Sequence, residues 1–158
     1  MSESTETTKE IIVFTIDELA YALSLTSVVK VIQAIAIRKL PNAPEIVTGI
    51  INVKGLIIPV VDIRKRLGLL SREIGLDDQL IIADTGKRLV AIMVDAVTGI
   101  KDLEFTQREA TNEKLSFAKH ITGVAKVDGG LILIYNLDHF LSLDEEAELE
   151  DALKTKNQ

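Results

Sequence analysis

One block of this chain occurs twice without a gap. Gly49 to Leu69 reads GIINVKGLIIPVVDIRKRLGL and Gly123 to Leu143 reads GVAKVDGGLILIYNLDHFLSL, an offset of 123 − 49 = 74 residues. Gly49/Gly123, Val53/Val127, Gly55/Gly129, Ile58/Ile132, Leu67/Leu141 and Leu69/Leu143 are identical, and most apolar positions between them match. Upstream, Ile11 to Val28 matches Leu80 to Val97 in pattern: an apolar run, a short turn, an apolar run. A chain built twice from one unit points to a two-lobed scaffold rather than to a single catalytic cleft.

Bulk properties narrow the function classes. The 158 residues amount to about one domain, enough to bury a core. A net charge of −6 disfavours nucleic acid, whose phosphates would be repelled. With no cysteine there is no disulfide framework, Cys-zinc site or thiol nucleophile. No long apolar span and no signal-peptide pattern occur, so the cytoplasm is the expected compartment.

The opening MSESTETTKE is small and polar, and residues 1–9 are expected to be a flexible tail. IIVFTI, the Asp17-Glu18 turn and LAYALSL read as a hairpin. Val28 to Ile37 is ambiguous between helix and strand, with a short helical turn after Leu25. Pro41 and Pro44 impose an extended loop, because each restricts the residue before it as well as itself. Glu45 to Gly49 is expected to form one helical turn. IINV and LIIPVV are strands joined across Lys54-Gly55, and Pro59 marks the second as an edge strand, a bulge or a strand start. Asp62 is placed to cap a helix IRKRLGL that Gly68 ends. The second unit repeats this order: QLIIAD, a turn at Thr85-Gly86-Lys87, RLVAIMVD, a charged middle segment, HITGVAKV, the Asp128-Gly129-Gly130 turn and LILIYNL. A helix then follows near Asp138 to Leu143. Many short strands with turn signals favour small barrels over a parallel sheet. The acidic end, 144–158, reads as a helical tail fraying into solvent.

Catalytic constellations are poor. His120 and His139 have no partner at metal-ligand spacing, so no metal or cofactor is expected. Asp62 and Asp95 follow apolar strands, where capping and turn roles account for them. Asp84-Thr85-Gly86-Lys87 lacks the glycine spacing and helix start of a phosphate cradle and reads as a hairpin turn. Gly49, Gly55, Gly123 and Gly129 fit tight turns between strands, where glycine tolerates positive φ. Aromatic content of 4% with no tryptophan argues against a stacking platform. No catalytic residue is assigned.

The run LPNAPEIVTGIINVKGLIIPVVDIRKRLGL, Leu40 to Leu69, resembles the signature of the CheW-like domain family of bacterial chemotaxis. The resemblance also covers RLVAIMVDAV (Arg88 to Val97) and ITGVAKVDGGLILIYNL (Ile121 to Leu137), and extends over about Glu10 to Leu143. It implies a mostly β fold: two intertwined SH3-like β-barrel lobes around a shared core, about 10–75 and 76–143, with a few short helices. It also implies an adaptor, not an enzyme, that bridges the cytoplasmic tip of methyl-accepting chemoreceptors to the regulatory domain of the histidine kinase CheA. Such a protein would have no direct membrane insertion and would be recruited to membrane receptor arrays through its partners. A related two-barrel regulatory module from a divergent pathway is the other reading.

By this resemblance the kinase contact falls on Asn52, Val53, Lys54, Gly55 and Leu56. The receptor contact falls on Val28, Lys30, Val31, Val90, Ile92 and Val97, as an apolar groove for a helix. At two positions the chain departs from the family pattern. Lys30 stands where Glu is common, inverting the charge, and Lys54 where Arg is common, losing the planar five-donor fork.

Overall fold

Asp17 and Glu18 both adopt positive φ (53° and 71°), so a two-residue turn joins β1 (Thr8–Ile16) to β2 (Leu19–Ser24). A turn with both central residues in that region twists in the sense that the flanking strands twist. In the computed structural model, which describes residues 8–104, 121–127, 130–137 and 140–156, the same device recurs. Lys54 and Gly55 (φ 53° and 89°) join β4 (Val47–Val53) to β5 (Leu56–Val61). Between these hairpins a 3-10 turn over Leu25–Ser27 leads into β3 (Val28–Gln33), so the ambiguous stretch is a helical turn followed by a strand. Asp62 then caps α1 (Ile63–Leu67), its carboxylate accepting from the Arg64 amide, and Gly68 ends the helix at φ 76°.

The second unit supplies β6 (Gln79–Asp84), β7 (Leu89–Val94), β8 (Ala96–Glu104), β9 (Ile121–Val127) and β10 (Gly130–Tyr135), followed by α2 (Leu143–Lys156). The two sheets do not follow the two units. One has the order β8-β1-β2-β10-β9 and the other β3-β6-β7-β5-β4. Replacing every strand by its repeat counterpart, β1 by β6 through β5 by β10, turns one order into the other. Each unit therefore lends its first hairpin to the other unit's sheet. The irregularities are duplicated too: Val28 and Lys30 of β3 face successive residues of β6, as Val97 and Gly99 of β8 face successive residues of β1. A skip between Val47 and Gly49 on β4 recurs between Ile121 and Gly123 on β9.

Side chains on successive strand positions point to opposite faces, and here both faces of the exchanged hairpins are buried. Ile12, Phe14, Ile16, Tyr21 and Leu23 join Ile81, Val90, Ile92 and Val94 in one shared core. The alternate positions fill each lobe: Ile11, Val13, Ala22, Ala125, Ile132 and Ile134 in one, and Leu80, Ile82, Ala91, Ile51, Ile58 and Val60 in the other. This double burial makes the runs continuously apolar, with two intertwined β lobes around one common core.

Several expectations change. Glu45 to Gly49 is not helical: the Val47 amide bonds the Pro44 carbonyl at 2.9 Å to close a turn, and the β-branched Val47 opens a strand. Gly49 does not need positive φ. A Cβ there would sit 2.2 Å from the Arg38 carbonyl oxygen, so the residue is small because another backbone crosses it. β5 is not an edge strand, since Val60 and Val61 pair in parallel with Ala91 and Ile92; Pro59 lies just before that pairing. The charged middle segment contains β8, a sheet edge, which is where polar strands belong.

The acidic end is not simply a solvated tail. Leu149 and Ala152 of α2 are buried in the shared core. Ser142 and Glu145 cap the helix reciprocally: Ser142 Oγ accepts from the Glu145 amide, and Glu145 Oε1 from the Ser142 amide. The helix starts at Leu143, later than expected; Asp138, His139, His120, Asp128 and Gly129 lie outside the described residues.

Because each sheet draws strands from both halves, residues 1–75 and 76–158 expressed separately should give unfolded or aggregating products, as judged by circular dichroism. Mixed, they should regain a single cooperative melt.

Candidate functional site: an exposed hairpin, an edge strand and a charge cluster between the lobes

At the tip of β4–β5 the backbone is held open to solvent. Asn52 Oδ1 accepts the Gly55 amide at 2.8 Å, which fixes the turn and leaves Lys54 and Leu56 projecting. Asn52, Lys54, Gly55 and Leu56 are exposed and Val53 is half-buried. Ile57, not singled out from the sequence, is exposed beside Leu56. Its counterpart in the second unit, Leu131, is exposed as well, and that correspondence was legible in the repeat.

β3 lies at the other edge of the same sheet. Lys30 is exposed, Val28 and Val31 are half-buried against the shared core, and Val97 on β8 packs against that core from the second unit. Val90 and Ile92 are different. Both are 0% exposed, because β7 is interior to its sheet and these positions face the shared core. They cannot line an open groove. The residue the pattern missed is Val29, which the register break on β3 turns outward. Bulges of this kind re-aim side chains at sheet edges.

A charge cluster ties the lobes together. The buried Arg64 guanidinium donates to Asp17 Oδ1 at 2.6 Å and to Asp95 Oδ1 at 2.8 Å. Asp17 belongs to the β1–β2 turn and Asp95 to the β7–β8 junction, so one side chain from α1 holds both sheets. Arg72 adds a second donor to Asp95 and grips Asp78 with both terminal nitrogens at 2.7 and 2.8 Å. The Asp62 and Asp95 carboxylates are thus a cap and an ion-pair member.

The Arg72 guanidinium holds the Asp78 carboxyl below the usual range, against burial. Burial opposes ionisation of Asp95 too, but the Asp17 amide and the Arg72 and Arg64 guanidinia outweigh it and lower that carboxyl as well. Asp84-Thr85-Gly86-Lys87 is the β6–β7 turn, closed by the Gly86 amide on Asp84 Oδ1 at 2.8 Å. Among the described residues no group of three metal-ligating side chains occurs, and no helix is long and apolar enough to cross a membrane.

Arg64→Ala should cost about 1–3 kcal/mol in urea unfolding, since it removes the guanidinium partner of the partly exposed Asp17 and leaves Asp95 to Arg72 and the Asp17 amide. Asp78 and Asp95 have folded pKa values below their unfolded ones, so their contribution is complete above about pH 4 and is lost as the pH falls through the lower folded values. Urea midpoints followed down to about pH 2 should drop in that window, and Asp78→Asn should shallow the drop.

A family model described as the CheW-like domain matches residues 10–145. The chain is similar to the "Chemotaxis protein CheW" of Thermotoga maritima, 35% identical over 136 residues that cover 84% of this chain and 87% of that one. To the protein of the same description in Rhizobium meliloti it is 29% identical over 142 residues, 87% of this chain and 90% of the relative. Among solved structures it resembles "scaffolding protein TtCheW from Thermoanaerobacter tengcongensis" with a TM-score of 0.79 and 31% identity, covering 87% of this chain and 94% of that one.

Proposed function

This chain belongs to the CheW-like domain family, and from that premise we propose that it is a non-catalytic adaptor coupling methyl-accepting chemoreceptors to the chemotaxis histidine kinase CheA. The observation that carries this reading is the pair of separated, solvent-facing aliphatic surfaces on one rigid frame. An adaptor needs two faces that can be occupied together, whereas an enzyme needs converging titratable groups in a cleft.

The kinase regulatory domain is assigned to Asn52, Val53, Lys54, Gly55 and Leu56, with Ile57 extending the apolar contact. The receptor tip is assigned to β3 through Val28, Val29, Lys30 and Val31, with Val97 supporting from behind. Lys30 and Lys54 give both faces a cation, so the matching partner surfaces carry carboxylates. Recruitment to membrane receptor arrays follows through these partners and not through insertion.

Lys54→Glu should weaken binding of the kinase regulatory domain by about 1–3 kcal/mol in isothermal titration while leaving the melting temperature nearly unchanged. Lys30→Glu should do the same for a receptor-tip fragment. Unaltered affinities in both variants would place the partners elsewhere on the surface.

A further inference from the structure

The β4–β5 tip does not stand alone at its end of the first sheet. β5 and β7 are parallel neighbours, with Val60 beside Ala91 and Val61 beside Ile92. Parallel neighbours begin at the same end, so the β6–β7 turn lies beside the β4–β5 tip, about one strand spacing of 4.8 Å away. Carrying the register back three residues sets Arg88 next to Ile57. Two turns, Lys54-Gly55 and Gly86-Lys87, therefore share one surface with Leu56 and Ile57, and all six residues are exposed.

The second turn is a fixed base. Asp84 Oδ1 accepts the Gly86 amide at 2.8 Å, and the hydroxyl oxygen of the buried Thr85 accepts the Lys87 and Arg88 amides at 3.3 Å each. Behind the turn, the Arg88 guanidinium donates to Glu146 at 2.8 Å and to Glu150 at 2.7 Å. These bonds tie the turn to α2 and neutralise the arginine. Lys87 makes no ion pair among the described residues, so its charge is available to a partner. A cation on a backbone that is already ordered costs less to immobilise on binding.

The repeat supplies the contrast. At the matching end of the second sheet, β2 and β10 are the parallel neighbours, with Tyr21 beside Leu133, and the same register sets Leu19 beside Leu131. The aliphatic character is kept there, since Leu131, the counterpart of Ile57, is 59% exposed and Leu19 is 54% exposed. The charges are inverted. Lys87 corresponds to Glu18 (87 − 18 = 69) and Lys54 to Asp128 (128 − 54 = 74). Aliphatic contact adheres at either end without telling them apart, whereas a charge that attracts at one end and repels at the other discriminates.

We propose that Lys87 is a specificity-determining contact of the kinase face. Together with Lys54, and beside Leu56 and Ile57, it makes an acidic partner surface choose this end of the molecule over its repeat. The inference rests on the adaptor reading and adds a second turn to its kinase face.

Isothermal titration of the full chain with the kinase regulatory domain, at about 0.15 M salt where charges are screened beyond about 8 Å, tests it. Lys87→Glu should weaken binding about tenfold without moving the melt, because the side chain is exposed and supports nothing in the fold. Lys87→Gln should fall between that variant and the wild type, and Lys54→Glu combined with Lys87→Glu should weaken binding more than either alone. Lys39→Glu is the control. It makes the same change in net charge at the opposite end of the sheet, beside Val47 and Asp62, and should leave the affinity within about twofold. During the titration the amide resonances of Gly86 and Lys87 should shift along with those of Lys54 and Gly55. Wild-type affinity in Lys87→Glu, shifts confined to the β4–β5 tip, or an equal loss in Lys39→Glu would overturn this inference and leave the adaptor reading standing. A wild-type chain that does not bind the kinase domain would overturn both.

Discussion

Burial of the β1–β2 and β6–β7 hairpins on both faces is the constraint from which the rest of this molecule follows. A strand buried on one side can belong to a lobe by itself, but these hairpins fill their own lobe with one set of side chains and meet the other lobe with the alternate set. At about 1.5–3 kcal/mol for each large aliphatic removed from water, the shared face is too valuable to expose, so the lobes cannot drift apart without unfolding. What remains for partners is the periphery: hairpin tips, edge strands and the outer side of α2.

The duplication is not carried through to the charges. Arg64 bridges Asp17 and Asp95 at one junction, while its repeat counterpart is an aspartate, Asp138. The other side is held by α2, where Arg66 pairs with Glu145 and Arg88 with Glu146 and Glu150. Arg66 also donates to the Phe140 carbonyl and lies over its ring at 5.8 Å, anchoring the chain just before the helix. Two equivalent apolar cores are thus joined by two different polar devices, which gives the surfaces of the lobes separate identities.

Much of this was legible in the sequence because the repeat and the turns are local. The Asp17-Glu18 and Lys54-Gly55 turns, the Asp62 cap and the Gly68 stop each depend on a few neighbouring residues, and the two-lobed architecture followed from the duplication and the family resemblance. The exchange of hairpins between sheets could not be read from strand pattern alone, since β2 and β7 are equally apolar on both faces. That ambiguity is why Val90 and Ile92 looked available for a groove although the shared core covers them. Gly49 shows the same limit: its reason is the Arg38 backbone crossing from a distant loop. The docked α2 was written in the sequence as Ser142 followed three residues later by Glu145, with Leu149 and Ala152 on one face, but the density of acidic residues masked it.

The central claim is that one rigid frame presents two faces that are occupied at once. The most direct measurement titrates a receptor-tip fragment into the preformed complex of this chain with the kinase regulatory domain, followed by light scattering. A stable ternary complex, with the affinity for either partner unchanged or raised by the other, is the predicted result. Displacement of the kinase domain by the receptor fragment would show a single shared surface and contradict the account.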